Sequence, residues 1–130
     1  VLPGAFLSGG DYVDALRHRR QLAAGFDALM RDCDAAIAAS SMEPAFVIDD
    51  AAEVALKYPR QARTPFNVTG HPALALPIGF DAEGLPLSMQ IVGRYFDEAM
   101  VYRVAQAYEG ATDWHLRRPP LAAAPTSGGS

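Results

Sequence analysis

Two apolar runs, Ala73 to Phe80 and Leu87 to Gly93, flank a link that reads Asp81-Ala82-Glu83-Gly84-Leu85-Pro86. The link is built from turn formers. An Asp side chain can hydrogen-bond its own backbone, Gly accepts positive φ, and Pro holds φ near its turn value. Short apolar runs around such a link predict a β-hairpin. No other pair of segments is so clearly made to meet, so the rest of the chain has to be arranged around residues 64–93.

Upstream, residues 1–10 carry Pro3, Gly4, Gly9 and Gly10 and read as an irregular lead-in. Asp11 is the expected N-cap of a first helix, because its carboxylate can accept from an orphan N–H of the first turn. Tyr12, Val13, Leu16, Leu22, Ala23, Phe26, Leu29 and Met30 follow at spacings of three and four. This is an amphipathic helix of about six turns, with Arg17, Arg19, Arg20 and Arg31 mostly on its other face. Ala35 to Ala39 reads as a short buried strand, since Asp32-Cys33-Asp34 breaks the helical period and Ser40-Ser41 marks a turn. Residues 40–63 form a long connection with a helical turn expected around Asp50 to Tyr58. Connections of that length usually serve function or move. After the hairpin, Asp97 and Glu98 open a second helix, where acidic groups suit the N-terminal dipole. Met100, Val101, Val104, Ala105 and Tyr108 form its stripe and Gly110 is the expected C′ residue. Trp114 to Leu121 reads as an extended strap stopped by proline, and residues 122–130 as a flexible tail. The expected fold class is therefore α/β, built from a long helix, a short strand, a β-hairpin and a helix.

Composition narrows the function classes. With 130 residues the chain has room for one domain, and 50% hydrophobic against 20% charged residues makes that domain a packed one rather than a disordered segment. Eleven basic residues against fifteen acidic ones give a net charge of −4, which argues against general nucleic-acid binding. Arg17-His18-Arg19-Arg20 lies in a helical pattern and reads as a solvated face. Cys33 is the single cysteine, so no intramolecular disulfide and no structural zinc site of the cysteine type is expected, and a reducing, cytoplasmic location is the natural expectation. His18, His71 and His115 have no ligand spacing, so no metal site and no cofactor is expected, and they read as ordinary surface or partly buried histidines. No apolar run approaches the roughly 20 residues of a membrane span. The chain begins with Val, which suggests a processed or truncated product or a piece of something longer.

Four local patterns bear on chemistry. Ser40-Ser41 with Lys57, the single lysine, could in principle make a serine nucleophile and its base, yet nothing in the sequence brings Lys57 to the serines. Gly128-Gly129-Ser130 resembles the start of a nucleophile loop but reads as a tail. Ser8 misses the nucleophile-elbow pattern because position 6 is Phe. Asn67-Val68-Thr69 satisfies the glycosylation triplet, but is better explained as side-chain hydrogen bonding in a tight turn ended by Gly70. Taken on residues alone, this is an α/β domain without a catalytic constellation.

The segments PFNVTGHPALALPIGF (65–80), GLPLSMQIVGR (84–94) and FDE (96–98) resemble the C-terminal portion of the amidase signature family. Tyr12, Ala15 and Arg19, then Phe26, then Cys33-Asp34 before the short strand are similar to that family's approach to its last strands. Thr112-Asp113-Trp114-His115 with Arg118-Pro119 is similar to a common family finish. The resemblance runs to about Leu121, so residues 1–121 are expected to be the C-terminal segment of an α/β/α amidase domain. It implies a parent that hydrolyses carboxamides to carboxylate and ammonia, or frees ammonia from glutamine for misacylated tRNA. Such a parent uses a serine nucleophile, a second serine in a cis peptide and a lysine base, all N-terminal to the residues present, so no catalytic residue is assigned. Two departures bear on substrate. The family usually has Pro-Thr and a second Pro after the first strand, where this chain has Ser40-Ser41-Met42-Glu43-Pro44. Lys57-Tyr58-Pro59-Arg60 replaces an aspartate-containing run, which implies a weaker likeness to the glutamine-dependent tRNA amidotransferase than to stand-alone amidases.

The resemblance implies that the chain supplies scaffold and one wall of a substrate funnel; Phe66, Asn67 and Gly70, on the segment entering the hairpin, are the candidate substrate-binding residues, the alternative being that they only shape a turn. The expected partners are the missing N-terminal part of the amidase or a second copy of the chain, and a small amide substrate in the intact enzyme, with no nucleic acid and no membrane. The alternative is a non-catalytic interaction module that binds a protein partner through the hairpin edge or the first helix.

Overall fold

A computed structural model of the chain describes residues 2–59 and 61–119. The lead-in, expected to be irregular, contains a 3-10 turn at Leu2–Phe6. The first helix, α1 (Gly9–Leu29), starts one turn earlier than expected. Ser8 is its N-cap and Asp11 is the N3 residue of a capping box. Ser8 Oγ accepts from the Asp11 N–H at 3.2 Å, while the Asp11 carboxylate accepts from Ser8 N–H at 2.8 Å and Ser8 Oγ at 2.7 Å. A serine is as good an N-cap as aspartate, and an acidic N3 satisfies a second orphan donor. The Ser8 hydroxyl first, and its backbone N–H second, hold the Asp11 carboxyl below the usual 3.8. A depressed carboxyl favours the folded helix end above that value and loses the advantage on acidification.

The strand β1 (Ala35–Ala39) forms where expected, but it is not the buried strand expected: Ala35, Ala36 and Ala38 are half-buried and Ile37 is 65% exposed, because it is an outer strand of the sheet. Arg94 fixes its approach by donating from Nε to Met30 O at 3.2 Å and from Nη2 to Cys33 O at 2.8 Å. The long connection contains a helix, α2 (Ala51–Lys57), capped by Asp50, whose carboxylate accepts from Glu53 N–H at 2.9 Å. A six-residue helix follows, α3 (Thr64–Thr69), with Pro65 in its first turn. The segment expected as a tight turn is thus helical, and Gly70 closes it as a left-handed cap at φ 85°.

The hairpin forms as expected from β2 (Ala73–Phe80) and β3 (Pro86–Gly93). Asp81 shapes the link, its Oδ1 accepting from Glu83 N–H at 2.9 Å and Leu85 N–H at 2.8 Å. The sheet order is β1-β3-β2, all antiparallel, with β3 in the centre. The last helix, α4 (Glu98–Ala111), is capped by Asp97 and runs past Gly110 to a cap at Thr112, so Gly110 is not its C′ residue. Thr112 Oγ1 donates to Tyr108 O at 3.0 Å, which lets a non-glycine residue end the helix. The expected strap begins instead with a 3-10 turn, Trp114–Leu116, whose Trp114 ring meets Phe80 edge-on at 6.0 Å. The expected flexible tail, 122–130, lies outside the described residues.

The core is where α4 crosses the sheet. Leu76, Ile91, Val101 and Ala105 form a buried cluster, extended by half-buried Leu74, Met89, Val104 and Tyr108. Ile91 and Val92 are both fully buried, although adjacent residues of a strand point to opposite faces. The α1 stripe behaves differently. Leu16, Ala23 and Phe26 are half-buried, but Tyr12, Leu22 and Leu29 stay exposed and no α1 residue is fully buried. Its apolar face is therefore only partly used by the packing seen here.

Close approach of α4 to β3 depends on Gly93. A Cβ there would stand 2.6 Å from Val101 Cγ2 and 3.2 Å from Asp97 O. Overpacking of this kind costs about 1–3 kcal/mol. Gly93→Ala should therefore lower the melting temperature, whereas Gly110→Ala, with open space around the new methyl, should raise stability by about 0.5–1 kcal/mol through helix propensity. Thermal denaturation of the two variants followed by circular dichroism checks the opposite signs.

Candidate functional site

The three candidate residues Phe66, Asn67 and Gly70 all fall on α3 and its cap, because that one short helix links the long connection to β2. Their environments differ. The Phe66 ring is half-buried and meets Phe26 of α1 edge-on, with centroids 5.2 Å apart. Asn67 is exposed. Gly70 contributes conformation, since φ 85° is strained for any side chain, and its N–H closes the helix on Phe66 O at 2.8 Å.

What holds α3 in place is a cluster that the sequence does not announce. His71 has a fully buried side chain and bridges two elements. Its Nδ1 lies 2.9 Å from Thr69 Oγ1 and its Nε2 lies 3.1 Å from Asp27 Oδ1 on α1. Tyr95 stacks on the imidazole at 4.0 Å and Phe26 packs edge-on against it at 4.5 Å. The Tyr95 hydroxyl donates to Thr69 O, and Arg19 Nε donates to Val68 O at 2.7 Å. His71 is thus a buried polar link rather than an ordinary histidine, and Arg19 leaves the solvated face to hold the end of α3. Of the side-chain bonds expected from Asn67 and Thr69 within a turn, only Thr69 makes one among the described residues, and its partner is the His71 ring. Only the closeness of Thr69 and His71 in the sequence hints at this; Asp27 is 44 residues away from His71 and carries no local signal.

Two concavities flank this element. An apolar groove of about 470 Å³ runs between α1 and α3, lined by Leu22, Phe26, Leu29, Pro65 and Phe66 among others. A second cavity of about 400 Å³ opens between the 41–46 loop and the hairpin, lined by Ser41, Met42, Phe46, Gln61, Arg63 and Ile78 among others. The serine pair does not acquire a base among the described residues. The Ser40 hydroxyl is buried without a hydrogen-bond partner there, Ser41 Oγ accepts from Glu43 N–H at 3.4 Å, and Lys57 pairs with Glu53 at 2.6 Å. Among the described residues there is also no group of three or more His, Cys, Asp or Glu placed to hold a metal ion.

The His71 bridge predicts unequal costs for its two ends. His71→Leu leaves the buried Thr69 hydroxyl without its partner and should cost about 1–3 kcal/mol. Asp27→Ala removes a partner that is 50% exposed, so solvent can enter the space it leaves beside His71 Nε2, and the change should cost about 1 kcal/mol or less. Urea denaturation of both variants measures the ranking; equal losses would contradict it.

A family model described as Amidase matches residues 4–102. The chain is similar to the A subunit of the glutamyl-tRNA(Gln) amidotransferase of Oceanobacillus iheyensis, with 36% identity over 131 residues, 95% of this chain and 27% of that protein. It is 41% identical over 112 residues to the corresponding protein of Lysinibacillus sphaericus, covering 85% of this chain and 23% of that protein. The expected distance from this amidotransferase is therefore not reflected in overall identity, despite the Lys57-Tyr58-Pro59-Arg60 replacement. Among solved structures, the A subunit of the Thermotoga maritima glutamyl-tRNA(Gln) amidotransferase superimposes with a TM-score of 0.71 at 28% identity, covering 78% of this chain and 22% of that one. A 6-aminohexanoate cyclic dimer hydrolase bound to substrate superimposes with a TM-score of 0.74 at 25% identity, covering 89% of this chain and 27% of that one. The chain spans about a quarter of the length of the curated relatives it matches. With a family model covering most of its length, sequence relatives across nearly all of it and an amidase-type fold, the chain belongs to the amidase signature family.

Proposed function

We propose that this chain is the C-terminal portion of an enzyme that hydrolyses a carboxamide to a carboxylate and ammonia through an acyl-serine intermediate, and that it contributes scaffold strands and one wall of the substrate funnel. The observation that carries the reading is the joint match of sequence and fold over most of the chain to amidase-family proteins about four times its length. The nucleophile and its lysine base come from the N-terminal part of such a domain, and among the described residues no base stands beside Ser40 or Ser41. The expected partner is that N-terminal part. No helix among the described residues is long and apolar enough to cross a membrane, and a cytoplasmic location belongs to the same proposal.

The wall is assigned to α3 and its cap. Phe66 turns its ring against α1, so its contribution is to hold the wall in place, while exposed Asn67 offers the polar group that a substrate can meet. The left-handed cap at Gly70 sets the direction in which the chain leaves the wall for β2.

Reconstitution tests this. The chain alone should release no ammonia from glutamine or simple aliphatic carboxamides. Co-expressed with the remainder of the Oceanobacillus iheyensis protein, it should restore release, and Asn67→Ala should then raise KM by about tenfold with a smaller change in kcat, the pattern of lost binding shared by ground and transition state. Hydrolysis by the chain alone, abolished by Ser40→Ala or Ser41→Ala, would refute the assignment of chemistry to residues outside it. A pulled-down partner without any Gly/Ser-rich amidase segment would favour an interaction module instead.

A further inference from the structure

The six residues of α3 are too few to hold a helix together by themselves, since isolated helices shorter than about 12–15 residues are marginal in water. Its two ends are anchored unequally. At the start, Arg63 caps without a side-chain hydrogen bond and Pro65 supplies only its fixed φ. At the finish, the Phe66 carbonyl accepts from Gly70 N–H at 2.8 Å, the Val68 carbonyl from Arg19 Nε at 2.7 Å and the Thr69 carbonyl from the Tyr95 hydroxyl. Two of these donors come from outside the segment, one from α1 and one from the corner between β3 and α4. Exposed Asn67 stands directly before the anchored residues, so its place is set by this last turn.

His71 reaches the same turn through a directed link. An ionised carboxylate only accepts, so the contact from Nε2 to Asp27 Oδ1 at 3.1 Å puts a proton on Nε2. In the neutral imidazole Nδ1 then accepts, and the Thr69 hydroxyl, 2.9 Å away, donates to it. Both partners of that second bond are closed to solvent, the His71 side chain at 0% and Thr69 at 6% exposure. The ring is held from two sides, by Tyr95 stacked at 4.0 Å and Phe26 edge-on at 4.5 Å. The Asp27 end is half in solvent and replaceable, whereas the Thr69 end is not.

We propose that His71 is a positioning residue for the amide substrate. Its bond to the Thr69 hydroxyl sets the last turn of α3, and through that turn the place of Asn67; its bond to Asp27 orients the ring and fixes the tautomer. The inference rests on reading α3 as a wall of an amidase substrate funnel. His71 itself touches no substrate. Losing the His71–Thr69 bond therefore weakens binding rather than chemistry, and the loss is the one that removing the Asn67 side chain produces.

The test is ammonia release from glutamine or a simple aliphatic carboxamide by the chain co-expressed with the remainder of the Oceanobacillus iheyensis protein, with rates taken per assembled complex. His71→Asn puts an amide oxygen where Nδ1 stands and keeps an acceptor for Thr69. His71→Gln, one methylene longer, reaches Asp27 instead. His71→Gln and Thr69→Val should raise KM by about tenfold with kcat within about twofold, whereas His71→Asn and Thr69→Ser should keep KM within about threefold of the wild type. In an Asn67→Ala background, Thr69→Val should add less than about threefold, because residues acting through one another share a single loss. Full multiplication of the two losses, or a fall in kcat at unchanged KM, is the mark of a merely structural role and overturns the proposal. Thr69→Val is nearly isosteric and decides the matter if the His71 variants fail to assemble. If the wild-type complex releases no ammonia, or if Asn67→Ala leaves its KM unchanged, the reading of α3 as a substrate wall falls and the inference with it. If Asn67→Ala raises KM and Thr69→Val does not, only the positioning role is overturned.

Discussion

The central strand has to be buried on both faces. Ile91 and Val92 are adjacent, point to opposite sides of β3, and neither is reached by solvent. Burying two such side chains contributes about 1.5–3 kcal/mol each. One face is closed by α4 through Val101 and Ala105, and Gly93 lets that helix come close. Everything else follows from serving β3. The hairpin link delivers β2 to one side of it, Arg94 fixes the approach of β1 to the other, and Asp97 starts α4 at the right point to return over the sheet.

The elements further from β3 are less complete. The α1 stripe, the 41–46 loop and the outer edge of β1 carry apolar groups that the described residues leave in solvent, Leu29, Met42 and Ile37 among them. An amphipathic helix of 21 residues with no fully buried side chain is a weak element in a free-standing domain, since helical stability in proteins comes mainly from packing the apolar face. The same helix is well suited to a domain several times larger. The α1–α3 contact that does form relies on polar chemistry: His71 joins Asp27 to Thr69, and Arg19 and Tyr95 hold the backbone at the end of α3. A short helix with few apolar residues can be held firmly in this way, and that firmness is what the proposed wall of a substrate funnel requires.

The chain is legible from its sequence wherever the physics is local. The hairpin, the position of β1, the helical turn after Asp50, the helix opened by Asp97 and Glu98 and its apolar stripe each depend on residues within a few positions, and each forms. The departures are also local in origin. Ser8 outcompetes Asp11 as the cap because the aspartate serves better three residues in, and Thr112 replaces Gly110 as the helix end because its hydroxyl satisfies a carbonyl. The segment around Asn67 reads as a turn because Asn and Thr are turn formers ahead of a glycine, whereas Pro65 in the first turn favours the helix. Phe66, Asn67 and Gly70 can be placed together from the sequence, since they share one segment, but their separate environments cannot.

Element order and family membership are written in the sequence, because motifs and periodicity are carried by neighbours in the chain. Folding decides which face α1 uses, where Phe66 places its ring, and that His71 is a buried bridge rather than a surface histidine. Each of these depends on groups brought together across long stretches of chain, Asp27 with His71 or Phe26 with Phe66, and no local spacing encodes a contact that only folding creates.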